Sequence, residues 1–346
     1  MTTRRLRVGL VSYAHVHAPA LLKTLATLPQ IELTGLYDEG PERGEAAARA
    51  HGTAFHRELA TLLDRSEAIV IASTNADHRR YTDAAAMAGV HVLSEKPLAT
   101  TLEDARAMVE ACRSAGVQLG TAFPVRSSAA ALSLKGLIDR GAIGTVLAIR
   151  GANPGRFPGG WFGDRAKAGG GAVMDHTVHV ADLLRWLLAD EVVRVHAEIG
   201  SLLWDLDVDD CGILTLDLAK GAFASIDCSW SRPKIYPTWG GLTLHVVGER
   251  GTVDVDIFRQ ALIHYDDRAG ETRLAGWGED LNARMLGDFA DAILAGRPVP
   301  ISGDDGLRAL EVVIAAYRSA EQLGPVAIAD LHPHLGPAIR SATVGP

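Results

Sequence analysis

Gly89-Val90-His91-Val92-Leu93-Ser94-Glu95-Lys96-Pro97 is the stretch from which the fold can be read. Val90, Val92 and Leu93 make a short apolar run bounded by a glycine and a proline, and a helix-forming segment from Leu102 to Ala115 follows it. A run of that length with turn signals at both ends predicts a buried strand. Strand followed by helix is half of a parallel crossover unit. Glu95 and Lys96 then stand at the carboxyl end of a parallel strand, where open α/β sheets bind ligands. Pro97 fixes the backbone and removes a donor, so the lysine is aimed. A solvated strand end closed by a turn proline would read the same way in isolation.

The same grammar runs back to the start of the chain. Leu6 to Val11 is a strand followed by a helix around Ala18 to Leu28. Ile31 to Tyr37 is a strand ending at Asp38, and Pro41 opens the next helix at a position suited to proline. Ala68 to Ala72 precedes a helix from His78 to Met87, and Val117 to Thr121 adds a further strand. Near-continuous apolar strands alternating with helices predict a doubly wound parallel sheet, a Rossmann domain over residues 1–125.

From Ser127 the pattern changes. A helix (Ser127 to Asp139), a strand (Thr145 to Arg150) and a glycine- and proline-rich loop (Asn153 to Gly163) lead to Gly169-Gly170-Gly171 and a helix from Val173 to Leu188. Gly212 to Asp217 and Phe223 to Trp230 flank Lys220-Gly221; Leu242 to Val247 and Thr252 to Phe258 flank Glu249-Arg250-Gly251. Short glycine turns between apolar runs predict antiparallel hairpins. The expectation is an α+β domain on an open, largely antiparallel sheet over 126–328. Helices at Asp280 to Ala295 and Asp304 to Gln322 close it, and 329–346 form a tail.

Composition narrows the function. At 346 residues two domains are the default. A hydrophobic fraction of 47% and a charged fraction of 22% are those of an ordinary soluble protein. A net charge of −8 gives no basic footprint for nucleic acid. Cys112, Cys211 and Cys228 are widely separated, with no C-x-x-C, and read as small buried hydrophobes. The amino terminus lacks a signal-type apolar segment, and no run approaches the ~20 residues that span a bilayer. A cytoplasmic protein without membrane or nucleic-acid partners is expected. Its open sheet face suggests a homodimer or homotetramer.

Two constellations carry the chemistry. The first strand-to-helix turn, Ser12-Tyr13-Ala14-His15-Val16-His17, stands where a dinucleotide fold places G-x-G-x-x-G, with none of the three glycines. Ser12 and Ala14 are small enough for the backbone to approach a pyrophosphate at the helix N-terminus. His17 implies looser packing or a side chain turned toward the ligand. Asp38 can accept from both ribose hydroxyls and repel a 2′-phosphate, favouring NAD over NADP; it is also placed to cap the Pro41 helix. In the second constellation, Asp175 and His179 are four apart and share one helix face. Asp175 can orient the histidine or bind a substrate hydroxyl, while the histidine works near neutral pH. A simple i,i+4 ion pair would look the same. His176, a third of a turn away, is a core or supporting histidine. Asp175, His176 and His179 could also ligate a divalent metal, but adjacent helix positions diverge, and no metal is expected. With Lys96 they suggest a lysine-assisted histidine acid/base site beside a nucleotide cofactor.

These residues resemble the Gfo/Idh/MocA oxidoreductases, over about residues 5–328. The resemblance rests on Ala72-Ser73-Thr74-Asn75 with His78, on Ser94-Glu95-Lys96-Pro97, on Gly169-Gly170-Gly171 with Asp175-x-x-x-His179, and on Ser302-Gly303-Asp304-Asp305-Gly306. It implies an NAD-dependent enzyme, with NADP possible, that interconverts a secondary alcohol and a ketone on a sugar, cyclitol or related polyol. By that resemblance Lys96 orients the hydroxyl, His179 is the general acid/base, and Asp175 binds substrate and steadies the histidine. Ser73, Thr74, Asn75 and His78 line the nicotinamide ribose, Glu95 the base of the same pocket, and Trp161 reaches toward the cofactor. Phe123, Arg126, Arg156 and Phe157 are candidate substrate walls, with Trp161 and His176. A catalytically silent sugar- or cofactor-binding protein on the same fold competes with this reading, because fold alone does not specify activity.

Overall fold

Six strands form the first sheet of the computed structural model, which describes residues 4–332 apart from 237, 260, 267–270 and 277–279. They are β1 (Leu6–Val11), β2 (Ile31–Tyr37), β3 (Phe55–His56), β4 (Ala68–Ile71), β5 (His91–Ser94) and β6 (Leu119–Thr121). All pair in parallel, in the order β3-β2-β1-β4-β5-β6. The connections are α1 (Ala18–Thr27), α2 (Pro41–His51), α3 (Leu59–Arg65), α4 (His78–Met87) and α5 (Leu102–Ser114). The order reverses between β1 and β4, and at such a switch point the carboxyl ends leave a crevice for ligand. Pro41 opens α2 and Gly52 closes it in the left-handed region (φ 64°), and Thr101 caps α5 by accepting from Asp104 N.

The second sheet is mixed. Its strands are β7 (Val146–Ala152), β8 (Val192–Gly200), β9 (Cys211–Leu218), β10 (Phe223–Asp227), β11 (Thr243–Gly248) and β12 (Gly251–Asp256), ordered β12-β11-β7-β10-β9-β8. β13 (Ala261–Asp266) and β14 (Glu271–Gly276) form a separate ribbon, and β15 (Val326–Ala327) joins the second sheet beside β8. Both expected hairpins form, β9 with β10 and β11 with β12. The pair β7–β10 is parallel and closes the sheet between them. The remaining helices are α6 (Ala129–Asp139), α7 (Arg165–Ala168), α8 (Ala172–Leu188), α9 (Leu281–Leu294) and α10 (Gly303–Gln322).

Each sheet belongs to its own compact unit. The first takes residues 1–124, 166–169 and 280–310; the second takes 125–165, 170–279 and 311–346. α9 therefore completes the core of the first unit. Met285, Leu286, Phe289 and Ala290 pack in one cluster with Leu6, Leu10, Leu21, Leu25 and Val70. Asp280 starts that helix by accepting from Asn282 N and Ala283 N. The expected tail from residue 329 begins with a 3₁₀ turn, Ile328–Leu331, and lies beyond residue 332 outside the described residues. No helix among the described residues is long and apolar enough to cross a membrane.

The triple glycine has a packing cause in the second unit. Gly171 N and Val173 N donate to Asp209 Oδ1 and Oδ2 at 2.9 and 2.7 Å, so an aspartate from a distant loop caps α8. A Cβ on Gly171 would lie 1.7 Å from the Asp209 carbonyl oxygen, and one on Gly170 would lie 2.0 Å from the Tyr317 hydroxyl.

Candidate active site

In the first unit the carboxyl ends of β1, β2, β4 and β5 bring the sequence-predicted residues together. Ser12 sits at φ +69°, the left-handed conformation that the missing first glycine would adopt freely. Its hydroxyl donates to Glu39 Oε1 at 3.1 Å and accepts from Ala14 N at 3.2 Å. Side-chain bonds thus hold a serine in the backbone shape that glycine takes unaided. Val16 is exposed at the tip of this turn.

Asp38 is buried and fully engaged. Its Oδ2 accepts from Tyr13 N at 2.6 Å and Arg43 Nε at 3.0 Å; its Oδ1 accepts from Gly40 N at 2.6 Å and Arg43 Nη2 at 2.8 Å. Two donors on each oxygen exhaust a carboxylate's capacity. Arg43 thus sits on the oxygens that the sequence reading assigns to the ribose hydroxyls. Asp38 does not cap α2 at the N-cap position, which Gly40 occupies.

His17 does turn its side chain inward, to the Lys96 loop. Its Nδ1 lies 3.0 Å from Glu95 Oε1, and His15 Nδ1 lies 4.0 Å from the same oxygen. Burial alone would push the Glu95 carboxyl up, but the His17 and His15 imidazoles, the His17 hydrogen bond and Lys96 outweigh it and hold it well below the ordinary carboxylate range. Glu95 Oε2 accepts from Lys96 N at 3.1 Å, and Lys96 itself is buried. The Lys96–Pro97 peptide is cis. His17 is the contact to the Lys96 loop that the glycine pattern hides: a histidine where a glycine is expected was the available signal.

The residues after β4 divide. Ser73 Oγ donates to Thr74 O at 2.9 Å, and Thr74 Oγ1 donates to Asp77 Oδ2 at 2.8 Å. Asn75 Nδ2 donates to Ala168 O at 2.9 Å, while its buried Oδ1 has no hydrogen-bond partner among the described residues. That acceptor fits a hydroxyl-bearing ligand, as a nicotinamide dinucleotide is. His78, expected at the nicotinamide ribose, is instead wholly enclosed. Its Nδ1 faces the carbonyls of Pro97 and Leu98 at 3.0 and 3.2 Å, so it ties α4 to the Lys96 loop. Burial holds its pKa below the ordinary histidine value despite those two carbonyls. Phe123 is a fully buried core side chain of this unit.

In the second unit α8 carries the other set. From Ala172 to Leu184 every residue is buried except His179. Asp175, one turn before it, accepts from Trp230 Nε1 at 3.3 Å and lies 3.2 Å from His176 Nε2. His176 is thus brought to Asp175, not turned away from it, and Trp230 joins them from the segment after β10. Arg126, expected as a pocket wall, is half of a buried ion pair: its Nε donates to Asp182 Oδ2 at 2.9 Å, and Nη2 to Oδ1. Arg156 Nη1 donates to Lys234 O at 3.1 Å. Trp161 stacks on Phe162 with centroids 4.0 Å apart, and Phe157 packs on Trp230 at 5.1 Å. Among the described residues, three potential metal ligands converge at His15, His17 and Glu95, and Asp175, His176 and His179 form no such group.

Comparison with known proteins agrees with this architecture. Residues 6–123 match a family profile described as "Oxidoreductase family, NAD-binding Rossmann fold", and residues 131–254 match "GFO/IDH/MocA C-terminal domain". The chain is 32% identical over 305 residues to 1,5-anhydro-D-fructose reductase of Ensifer adhaerens, covering 84% of this chain and 89% of that protein. It is 30% identical over 269 residues to myo-inositol 2-dehydrogenase of Thermotoga maritima, covering 74% and 78% respectively. The crystal structure of GenD2 from gentamicin A biosynthesis in complex with NAD superposes with a TM-score of 0.86 at 28% identity, covering 94% of this chain and 97% of that one.

Proposed function

We propose that this chain, which belongs to the GFO/IDH/MocA oxidoreductase family, interconverts a secondary alcohol and a ketone on a sugar, cyclitol or related polyol. When bound, NAD(P) supplies the hydride acceptor or donor. In the oxidative direction an imidazole nitrogen of His179 takes the hydroxyl proton. The Lys96 ammonium stabilises the negative charge that develops on the substrate oxygen. Asp175 accepts a hydrogen bond from a neighbouring substrate hydroxyl and keeps its own position through Trp230 and His176. Burial of Lys96 and Asp175 strengthens both electrostatic contacts by keeping water away. Asn75 Oδ1 and the Ser12–His17 turn hold the cofactor.

The observation that carries this reading is the exposure pattern of α8. His179 is the one opening in a buried run, one turn from a buried aspartate, so the helix offers solvent an acid/base group and nothing else between Ala172 and Leu184. The names of the relatives support the substrate class. The test is a screen of sugars and polyols with NAD and NADP, following absorbance of the reduced cofactor. Turnover of at least one secondary alcohol is expected. Binding of NADH with no turnover in either direction on any of them would establish a silent binding protein instead.

We also infer self-association through the open face of the second sheet. Ile213 and Phe223 stand exposed there, 51% and 59% accessible. Light scattering of the purified protein is expected to give a dimer or tetramer mass, and a monomer mass removes the inference.

A further inference from the structure

We propose that His15, His17 and Glu95 form a binding site for one divalent transition-metal ion of the zinc class, and that filling this site inhibits turnover. All three residues belong to the first unit and meet where the turn after β1 faces the Lys96 loop. His15 Nδ1 and His17 Nδ1 lie 4.0 and 3.0 Å from Glu95 Oε1. One ligand atom from each residue lies within 4.8 Å of the other two. A tetrahedral ion with bonds of about 2.1 Å sets its ligands about 3.4 Å apart, so small side-chain adjustments bring all three onto one centre.

The hydrogen bonds around the cluster orient its electron pairs. His17 N donates to His15 Nδ1 at 3.1 Å, so that nitrogen is the unprotonated one and presents a lone pair. Glu95 Oε1, which it faces, only accepts. A nitrogen lone pair and a carboxylate oxygen 4.0 Å apart form an arrangement that a cation completes. Glu95 Oε2 accepts from Lys96 N at 3.1 Å, which fixes the carboxylate with Oε1 toward the two rings. His17 Nδ1 becomes the third ligand when the neutral ring carries its one proton on Nε2 instead. His15 and Glu95 are each 2% exposed, whereas 33% of the His17 side chain is accessible, which gives the ion an entry path and a fourth position for water.

Two imidazoles and one carboxylate select zinc, cobalt(II) or nickel(II) over magnesium and calcium, which take oxygen ligands. The proposed dehydrogenase chemistry itself needs no metal. The inhibition rests on the role given above to Lys96. A dication held by Glu95 stands one residue from the Lys96 ammonium, and like charge disfavours the protonated lysine that steadies the substrate oxygen. The competing reading is a plain histidine–glutamate pair, which takes up no ion.

The test titrates metal-free, untagged protein with cobalt(II), followed by visible absorption, and with zinc, followed by calorimetry. One ion per chain is expected, with a Kd on the order of a micromolar or tighter. His17→Ala and Glu95→Gln should each weaken binding by at least about 100-fold, beyond the usual loss of an outer partner. His179→Ala should bind as the unmodified chain does, and magnesium should not compete. Absence of saturable binding, or equal binding by His17→Ala, overturns the site. His17 is half-exposed, so its variant decides the matter even where Glu95→Gln folds poorly. Zinc that fills the site should lower turnover of the alcohol by at least about tenfold, and a chelator should restore it. Unchanged turnover with the site filled overturns the inhibition. If no alcohol is oxidised with or without zinc, the dehydrogenase reading fails while the cobalt spectrum still decides the site.

Discussion

Ser12 shows how a single residue can take over a motif's work. Its backbone adopts the left-handed shape while its hydroxyl binds Glu39 and Ala14. Ser12→Ala should keep the strain and lose both bonds, destabilising the protein by about 1–2 kcal/mol. Ser12→Gly loses the same bonds but relieves the backbone, so it should cost less; urea denaturation orders the two. Arg43 is the residue that decides what Asp38 can do. Arg43→Met should free the carboxylate, lowering the KM for NAD and raising that for NADP, each by about tenfold, the scale of one charged hydrogen bond. Unchanged KM values would show that Asp38 does not read the ribose. At Lys96 the expectation is larger: Lys96→Ala should lower turnover by about two or more orders of magnitude while NADH still binds. Turnover within a few fold would take Lys96 out of the chemistry. The candidate residues were visible in the sequence because Lys96, Asp175 and His179 stand at interpretable places along the chain. What was hidden is contact across the chain: nothing near Asp38 announces that Arg43 fills it, and nothing near Asp175 announces Trp230.

Elements were legible to the extent that their own pattern defined them. α8 falls within one residue of its expected start because three glycines precede a long apolar helical run. β3 and α3 have too few residues, 2 and 7, to display a period. α9 illustrates the limit differently. Its apolar stripe announces that it must be buried but not against what, and the partner is a sheet that begins at residue 6. Phe289→Ala should therefore unsettle the first sheet, by about 3–5 kcal/mol, and amide exchange in β1 should quicken more than in β9. His78, on α4, gives that helix a pH response. Its folded pKa is lowered, so the folded state resists the proton that the unfolded chain accepts. Its contribution is complete above the unfolded value of 6.5 and is lost as pH falls below it. His78→Asn should flatten thermal stability between neutral pH and about pH 5, and an unaltered slope would assign the acid sensitivity elsewhere. Glu95 acts in the same direction at lower pH: its depressed pKa stabilises the fold above the ordinary value of 4.5 and less as pH drops beneath it.

On the scale of the molecule, the doubly wound parallel sheet of the first unit follows from strand–helix alternation, while right-handed crossovers narrow its strand order without fixing it. The second sheet is different. Its hairpins are local and readable, but the parallel pairing of β7 with β10 joins segments separated by two helices and two strands, and no periodicity encodes it. The first unit has a further property, which lies in time. Its core is assembled from residues 6–122 together with 285–299. A ribosome that has delivered the whole parallel sheet with α1 and α2 has not yet delivered the helix that completes their core. During synthesis the part of that apolar face left uncovered by α1 and α2 waits until more than half of the remaining chain has emerged. Residues 1–124 expressed by themselves should aggregate, and supplying 280–310 through a short linker should restore solubility; a well-behaved fragment of 1–124 would show that the late helix is dispensable. A nascent chain built this way is a natural customer for chaperones, and its yield in the cell should depend on them more steeply than its final stability would suggest.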